Sequence, residues 1–357
     1  MFDARWPFRG PESGPAPNPA GDRAPDRDVA SLDVVCVGHA LVDHLAHASA
    51  DEVAAACIEP GAMLLVDSDR ALEIDRAVPH WQQAAGGSAA NTAAGVALLG
   101  GRPAFAGGVG DDKLGRWYAA DLEAVGVAAS VATGAGGEPT GTCHVLVTPG
   151  GRRSMATHLG AASYVPRAVV DAAGIDHASV LYLEGYLLDA AAAAALDRAI
   201  ELAKGSGVVI ALSLSDPFVV ERHRDRIAEL VFGGTVGLLF GNEEEVRGLT
   251  STGSVDAAVT ELAADDRVVI VTLGPSGSLA VVPSGNVFVP AEDVDPVLDT
   301  TGAGDLFAAG FLFALTHCFG PRDALELGSR AAGEVIGQLG ARPAAGLRGR
   351  LEVATPS

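Results

Sequence analysis

The sequence Asp-Thr-Thr-Gly-Ala-Gly-Asp occupies residues 299–305 and leads directly into an apolar run at residues 306–313. A turn of small residues before an apolar run predicts the start of a buried helix, with the carboxylate of Asp305 in its first turn. The first backbone N–H groups of a helix have no partners within the helix, and the helix dipole places partial positive charge there. The stretch therefore predicts an anion site, where Gly302 and Gly304 let the anion approach the backbone closely.

The carboxylate of Asp305 narrows the chemistry of this site. Beside a bound phosphate it is repulsive, but it is well suited to removing a proton from an attacking hydroxyl. The motif therefore predicts phosphoryl transfer to an alcohol, with Asp305 as general base and Gly302, Ala303 and Gly304 around the transferred group. The alternative is an ordinary turn whose acidic residue only complements the helix dipole. The chain has no Walker P-loop, and this stretch lacks the third glycine of a dinucleotide-binding fingerprint.

Two motifs resemble those of a known family. The 299–305 motif resembles the C-terminal signature of the ribokinase-like (PfkB) sugar and nucleoside kinases, and Gly-Gly-Ser-Ala-Ala-Asn at residues 86–91 is similar to their N-terminal substrate motif. The resemblance extends over roughly residues 33–343 and is greatest to bacterial adenosine-kinase-like members. It implies an ATP-dependent kinase that uses Mg²⁺ and phosphorylates a primary hydroxyl of a small nucleoside or sugar, with the 5′-hydroxyl of adenosine as the best candidate.

The resemblance also implies an acceptor site in the N-terminal part of the chain. Gly86 and Gly87 are expected to form a tight turn, after which Asn91 reads sugar hydroxyls or, alternatively, caps the helix. Asp43 aligns with a family aspartate that accepts hydrogen bonds from two neighbouring sugar hydroxyls; a solvated carboxylate at a strand end is the alternative. His39 stands where adenosine kinases usually have asparagine, and histidine differs from asparagine in both size and hydrogen bonding.

Two further acceptor contacts are expected after the apolar run at residues 180–183. This run predicts a strand, and ligands collect at the carboxyl ends of strands in open α/β sheets. Glu184 is expected there, either touching the sugar or supporting another contact. Tyr186 is expected to stack on a nucleoside base or, equally well, to pack in the core or lid.

The nucleotide side is predicted from the later strands. Residues 242–245 match the family's Asn-x-x-Glu motif, which implies that Asn242 and Glu245 organise Mg²⁺ and phosphate through water. An acidic helix start is the alternative. Arg153 could reach the phosphate from the lid, although a surface arginine is the preferred interpretation. The expected nucleotide contacts are Asn242, Thr272, Gly274, Gly277, Gly302 and Gly304.

The order of apolar runs predicts a doubly wound α/β fold, with a mostly parallel sheet flanked by helices and a small β-sheet lid. The predicted strands of the large sheet are 34–37, 180–183, 208–212, 236–240 and 268–273. The predicted helices are 91–99, 114–125, 190–203, 219–232, 255–264 and 323–338. Segments 39–48, 62–67, 104–108 and 142–148 are expected to form the small sheet.

The domain organisation follows from composition. Residues 1–30 are rich in Pro, Gly, Asp and Arg, which predicts a disordered tail. Residues 31–345 are expected to form the kinase domain, with a lid from segments near 39–67 and 104–158, and residues 346–357 a C-terminal tail. The apolar stretch at 306–319 is too short for a membrane span and predicts a buried helix.

Charge and cysteine spacing exclude other classes of function. The net charge of −21 argues against partners such as nucleic acid or an anionic membrane. Four widely separated cysteines favour a reducing compartment and hence a cytoplasmic protein. The sequence leaves open the acceptor, a monovalent-cation requirement, and whether the protein is a monomer or a homodimer through the lid. A free-sugar kinase is one alternative function; an inactive binding or regulatory protein is another, against which the retained Asp305 argues.

Overall fold

The computed structural model describes residues 31–58, 63–78, 80–148, 153–189, 191–263 and 267–353. The expected disordered tail at residues 1–30 and the last residues of the expected C-terminal tail, 354–357, lie outside the described residues. None of the described helices is long and apolar enough to cross a membrane.

Strands alternate with helices along most of the described chain. The strands are β1 (Leu32–Val37), β2 (Leu41–His47), β3 (Met63–Leu65), β4 (Gln82–Gly86), β5 (Pro103–Val109), β6 (Ala128–Thr133), β7 (Gly141–Val147), β8 (Arg153–His158), β9 (Ala178–Glu184), β10 (Val209–Ser213), β11 (Leu238–Asn242), β12 (Val268–Thr272), β13 (Ser278–Val282) and β14 (Gly285–Val289). The helices are α1 (Ala50–Ala55), α2 (Ser68–Ala77), α3 (Ser88–Leu98), α4 (Lys113–Ala124), α5 (Arg167–Asp171), α6 (Ala193–Ser206), α7 (Pro217–Phe232), α8 (Glu243–Thr250), α9 (Val255–Leu262), α10 (Ala303–Thr316), α11 (Pro321–Ile336) and α12 (Leu347–Arg350).

The large sheet has the strand order β14-β13-β12-β11-β10-β9-β1-β5-β6. Its strands are parallel from β6 to β12, and the hairpin β13–β14 adds an antiparallel edge. Successive residues of β1 enter opposite cores: Val34 and Cys36 pack on one face, and Val35 and Val37 on the other. Both faces are covered by helices, which is why these strands are continuous apolar runs without alternation. The predicted doubly wound fold is confirmed.

The small sheet has the order β3-β8-β7-β2-β4. The expectation that segment 104–108 belongs to it was wrong, because β5 lies in the large sheet and pairs in parallel with β1. Strand β6 pairs with β5 in the same sheet, so the lid does not include the whole of 104–158. Every residue of β5 is buried, as expected for an interior parallel strand.

The chain after residue 345 also differs from the expected tail. Helix α12 begins at Leu347, and the side chains of Leu347 and Leu351 are buried in the same core as β1 and α10. The described part of this segment is therefore packed against the domain.

Two closely packed helices position the site. Helices α3 and α10 approach so closely that a Cβ on Gly95 would overlap the side chain of Ala309. The apolar stretch predicted as a buried helix is α10, whose residues from Leu306 to Leu315 are all buried. Because the pair packs tightly, the side chains of their first turns are held in fixed relation to each other.

Candidate active site

A cavity of about 460 Å³ lies between the small sheet and the edge of the large sheet. This volume is within the range of small-molecule sites. The large-sheet side contributes the starts of α3 and α10 and the carboxyl ends of β9 to β12, and the small sheet contributes β2, β3, β7 and β8. Its lining includes most of the residues predicted from the sequence: His39, Asp43, Gly87, Asn91, Glu184, Tyr186, Asn242, Glu245, Thr272, Gly302, Ala303, Gly304 and Asp305.

The turn before α10 is stabilised by the buried carboxylate of Asp299. Asp299 accepts hydrogen bonds from the backbone N–H and hydroxyl of Thr301, at 2.9 and 2.5 Å, and from the backbone N–H of Gly340 at 2.9 Å. Gly302 caps the helix with a φ of 77°, and a Cβ there would overlap the backbone of Ala341. A Cβ on Gly304 would instead meet nothing within 4 Å. The start of α10 is therefore held in place on the side of Gly302, and the space beside Gly304 is open to a ligand.

Asp305 is held by two side chains from α3. Its Oδ1 accepts a hydrogen bond from the hydroxyl of Ser88 at 2.7 Å, and its Oδ2 accepts one from the amide of Asn91 at 2.9 Å. Burial raises the pKa of Asp305 to about 6, and the hydrogen bonds from Asn91 and Ser88 oppose this rise. The carboxylate is thus oriented, largely ionised at neutral pH and able to accept a proton.

Asn91 is oriented in turn by an arginine from the end of the chain. Arg342 donates from Nε to Asn91 Oδ1 at 3.3 Å and forms an ion pair with Asp121. This contact fixes which end of the Asn91 amide faces Asp305. The Asn91 side chain is therefore directed at Asp305 as well as lining the cavity.

Asp43 lies on β2, on the opposite side of the cavity from α10. It is 6% exposed, and burial raises its pKa to about 7, with Arg342 lowering it and Asp305 raising it. A Cβ on Gly86 would overlap the Asp43 carboxylate, and a Cβ on Gly87 would overlap the backbone oxygen of His39. Both glycines therefore provide the room in which β2 and β4 bring Asp43 to the cavity.

Glu184 is fully buried and ties three segments together. Its Oε1 accepts from the backbone N–H of His39 at 2.8 Å and lies 2.6 Å from the His39 ring Nδ1, and its Oε2 accepts from the backbone N–H of Ala89 at 2.8 Å. These contacts join the end of β9 to the chain after β1 and to the start of α3. The carboxylate supports the site, and His39 has a ring orientation fixed by this bond.

Two aromatic side chains line the cavity beyond Glu184. Tyr186 packs partly against the core on the α6–α9 face of the sheet, and burial raises its pKa well above the usual value. Phe218, in the first turn of α7, is 48% exposed, and the guanidinium of Arg222 lies 4.2 Å from its ring centroid. The cavity thus offers apolar ring surface at this end.

Asn242 and Glu245 form a reciprocal cap at the start of α8. Asn242 donates from its backbone and side-chain nitrogens to Glu245 at 2.9 and 2.7 Å, and its Oδ1 accepts from the Glu245 N–H at 2.9 Å. Burial raises the pKa of Glu245 to about 7; the backbone hydrogen bond from Asn242 lowers it, and the charge of Asp216 raises it. Asp216 lines the same cavity. The carboxylates of Asp216 and Glu245 therefore lie close enough to repel each other, and that of Glu245 is buried.

An open groove adjoins the cavity through Asn242 and Thr272, which line both. Gly274 lies in this groove, near the guanidinium-bearing residues Arg224 and Arg247. Gly277 lines neither space; it has a φ of 120°, and a Cβ there would overlap the backbone at Val289. The turn between β12 and β13 accounts for Gly277 without a ligand contact.

Comparisons with known proteins identify the family. The profile of the pfkB family carbohydrate kinases matches residues 31–345. This chain belongs to the PfkB family. Its recognised motifs thus coincide with the cavity: the 299–305 turn forms the start of α10, and the 86–91 segment forms the start of α3.

Solved structures and curated sequences of this family include nucleoside and sugar kinases. The crystal structure of adenosine kinase from Sinorhizobium meliloti is 40% identical with a TM-score of 0.84, over 90% of this chain and 99% of that one. A probable sugar kinase from Rhizobium etli CFN 42 is 36% identical with a TM-score of 0.84, over 90% and 98%. Adenosine kinase from Saccharomyces cerevisiae is 29% identical over 335 residues, 86% of this chain and 95% of its own length. The chain is a nucleoside or sugar kinase that transfers a phosphoryl group to an alcohol.

This PfkB kinase also has site residues that sequence reasoning missed or misjudged. Arg153, expected at the surface, lies on β8 and donates to the Thr301 hydroxyl at 2.9 Å. Ser88 was not singled out, although it lies inside the recognised N-terminal motif. Arg342 was also missed, since 251 residues separate it from Asn91. A polar side chain in the first turn after the Gly-Gly pair could have indicated Ser88; nothing local indicates Arg342.

Proposed function

We propose that this kinase transfers the γ-phosphoryl group of ATP to the 5′-hydroxyl of adenosine. The main support is the arrangement of groups in one cavity. The hydrogen-bonded carboxylate of Asp305 lies beside the open start of α10, and the aromatic side chains of Tyr186 and Phe218 line the same cavity. The first feature suits proton removal next to a phosphoryl group, and the second suits a flat base. The 40% identity with an adenosine kinase over 90% of the chain supports the same acceptor.

In this proposal Asp305 takes the proton of the attacking hydroxyl. The O–H bond of the acceptor breaks as its oxygen bonds to phosphorus, the proton passes to a carboxylate oxygen, and ADP leaves with the electrons of the broken P–O bond. Ser88 and Asn91 hold the carboxylate in orientation, and the Asp305 pKa of about 6 keeps it in the basic form at neutral pH. A pKa near the working pH is the efficient choice for a general base.

Charge on the transferred group is met by the start of α10 and by one lid arginine. The backbone N–H groups after Gly302 are preorganised, so they stabilise developing charge without rearranging. Arg153, already bonded to Thr301 of the same turn, adds a guanidinium from the small sheet. The space where a Gly304 Cβ would lie is the proposed position of the phosphate.

A Mg²⁺ ion fits beside Glu245 and Asp216. Both carboxylates line the cavity, and the charge of Asp216 contributes to the raised pKa of Glu245, so a nearby cation would offset their repulsion. Both Glu245 oxygens already accept bonds from Asn242, so contact through water is the proposed arrangement. When bound with ATP, the ion would neutralise phosphate charge.

A free-sugar kinase is the second candidate. The ring of His39 is bonded to Glu184 at 2.6 Å, so a bulky fixed imidazole faces the acceptor end where adenosine kinases usually have asparagine. The R. etli relative is described as a probable sugar kinase. A smaller acceptor would leave the aromatic end of the cavity unused.

Initial rates with purified enzyme, ATP and Mg²⁺ distinguish these acceptors. Adenosine, inosine, ribose and fructose are compared by their kcat/KM values in parallel assays. The proposal expects adenosine to exceed both free sugars by at least about 5-fold, since stacking of one base is typically worth about 1–3 kcal/mol. A higher kcat/KM for ribose or fructose contradicts the nucleoside proposal and supports the sugar kinase.

For the oligomeric state we propose the homodimer through the lid over the monomer. Leu64 and Leu65 of β3 are 45% and 44% exposed, and among the described residues β3 is an edge strand of the small sheet, which makes it available for pairing with a second copy. Light scattering after size-exclusion chromatography measures the mass directly. A monomeric mass of about 36.0 kDa at working concentration contradicts the dimer.

A further inference from the structure

Three potential metal ligands converge on the face of the small sheet that points away from the cavity. His44 lies on β2, His144 on β7 and Asp75 on α2. His44 Nδ1 lies 3.2 Å from His144 Nε2 and 3.3 Å from Asp75 Oδ1, and His144 Nε2 lies 3.4 Å from the same oxygen. Among the described residues this is the one group of three such side chains with its atoms in reach of a common ion.

The strand register brings the two histidines together. His44 pairs with His144 across β2 and β7, one step beyond the pair Asp43 and Cys143. Side chains alternate across a strand, and Asp43 and Cys143 line the cavity, so the histidines lie on the opposite face. The cluster is therefore separate from the active site by the thickness of one sheet.

The spacing of the three atoms matches a metal site better than a hydrogen-bond network. The triangle is nearly equilateral, and hydrogen bonds can account for two of its three edges at most, because two ring nitrogens that both donate to Asp75 cannot also bond to each other. Four ligands at about 2.0–2.1 Å around a tetrahedral ion are separated by about 3.3–3.4 Å. The observed distances of 3.2, 3.3 and 3.4 Å agree with this spacing.

The surroundings suit an imidazole-bound ion. His144 is 2% exposed, and its ring is held by Trp81, whose ring centroid lies 5.0 Å away at 70°. Trp81 also donates from its indole nitrogen to the backbone oxygen of Asp75 at 3.1 Å, which fixes α2 beside the histidines.

We propose that His44, His144 and Asp75 bind a Zn²⁺ ion that fastens α2 to the outer face of the small sheet. Two imidazoles and one carboxylate in tetrahedral spacing favour Zn²⁺ over Mg²⁺, which prefers six oxygen ligands. The exposed side of Asp75 leaves the fourth position to water. The site is independent of the proposed acceptor, because none of its ligands lines the cavity.

Zinc titration of chelator-stripped, full-length protein tests the proposal. Isothermal titration with ZnCl₂ is expected to show one site per chain, and Asp75→Asn to weaken zinc binding by about 10-fold or more, since a neutral amide of the same shape is a much weaker zinc ligand than a carboxylate. Asp69→Asn is the matched control, because Asp69 is an exposed carboxylate on the same helix but outside the cluster. His44→Gln is a second ligand variant in case one substitution disturbs folding, and circular dichroism checks that each variant is folded.

Two further readouts locate the ion. Zinc is expected to change the fluorescence of Trp81, and Trp81→Phe to abolish that change while the titration still shows one site. Anomalous scattering at the zinc edge from a soaked crystal should give a peak within about 2.3 Å of all three ligand atoms. Unaltered zinc affinity in Asp75→Asn and His44→Gln, a peak at the active-site carboxylates, or no stoichiometric binding by the wild type overturns the proposal.

Discussion

The two sides of the cavity present different kinds of groups to whatever binds there. The large-sheet side offers a helix start made of small residues, with Asp305 held by Ser88 and Asn91. The small-sheet side offers longer side chains on strands, Asp43 and Arg153. The packed helix pair holds the side chains of its first turns in fixed relation to each other, whereas the small sheet presents Asp43 and Arg153 from the opposite side of the cavity. We therefore expect turnover to depend on the large-sheet side of the cavity and acceptor affinity to depend on the small-sheet side.

Replacement of Asp305, the proposed general base, is the strongest test of this division. Asp305→Asn keeps the shape of the side chain but cannot accept a proton, so kcat is expected to fall by roughly 10²–10⁴-fold while ATP and acceptor still bind. Steady-state kinetics and calorimetric binding measure the two effects separately. Asp323→Asn is the control, because Asp323 is an exposed carboxylate in the first turn of α11. Equal turnover in wild type and Asp305→Asn would remove Asp305 from the mechanism.

Replacement of Asp43, on the small-sheet side of the cavity, should weaken binding of the acceptor. Hydrogen bonds to a charged group are worth about 1.5–3 kcal/mol, so Asp43→Asn is expected to raise the acceptor KM by roughly 10- to 150-fold. The KM for ATP should change little, because Asp43 lies on β2, away from the groove beside β12. A rise confined to the ATP KM would show that the two ends of the cavity have been assigned in reverse.

The same variant should stabilise the fold at alkaline pH. Burial raises the pKa of Asp43 to about 7 from 3.8, so the folded state binds this proton more tightly than the unfolded state does. The free energy of unfolding of the wild type therefore falls as pH rises from about 4 to 7. Three pK units correspond to about 4 kcal/mol at most. Thermal melts of Asp43→Asn should exceed those of the wild type at pH 8, and the gap should shrink toward pH 4; a constant gap would contradict the raised pKa.

The aromatic end of the cavity separates nucleosides from sugars. Tyr186→Ala is expected to raise the adenosine KM by roughly 5- to 150-fold and to leave activity on ribose almost unchanged, since stacking acts on the base alone. Tyr186→Phe, which keeps the ring, is the control. Phe218→Ala is compared in the same assay because Phe218 is the more exposed ring. If Phe218→Ala raised the adenosine KM strongly and Tyr186→Ala did not, the base would stack on Phe218 instead of Tyr186.

Sequence patterns predicted the large sheet well because its buried strands are continuous apolar runs. They misassigned β5, whose Ala-Phe-Ala-Gly-Gly segment has little β-branched character, and missed β4, whose Gln-Gln-Ala-Ala-Gly is a weak strand former. Both strands are defined by pairing with distant neighbours, β1 and β2. Tertiary pairing overrides local propensity at such places.

For the site, sequence motifs gave the residues that belong to helix starts and turns. They did not reveal Arg342, which reaches Asn91 across 251 positions, nor the pair His44 and His144, separated by 100. They also gave no indication that Asn91 faces Asp305, because one amide can serve a sugar, a helix end or a carboxylate equally well. The orientation of a polar side chain depends on its packing against distant parts of the chain, and the spacing of residues in a motif does not reveal that packing.

The smallest change is expected from the effect of Asn91 on the pKa of Asp305, the proposed base. Its amide donates to the ionised form of Asp305, which favours that form and holds the pKa lower than burial alone would. In the wild type kcat/KM should therefore decline as pH falls through about 6. Asn91→Ala removes this hydrogen bond, so the acidic limb should move to higher pH by up to about one unit, a several-fold loss of activity at pH 6 that largely disappears at pH 8.

The pH profiles of three variants test this tuning. Ser88→Ala should shift the limb in the same direction, since Ser88 donates to the other carboxylate oxygen, and Asp323→Asn should leave it in place. If Asn91 acted on the acceptor hydroxyls alone, its removal would raise the acceptor KM equally at every pH and leave the limb unmoved. A pH-independent loss in Asn91→Ala would therefore assign Asn91 to the acceptor, and a shifted limb would assign it to Asp305, as its 2.9 Å contact favours.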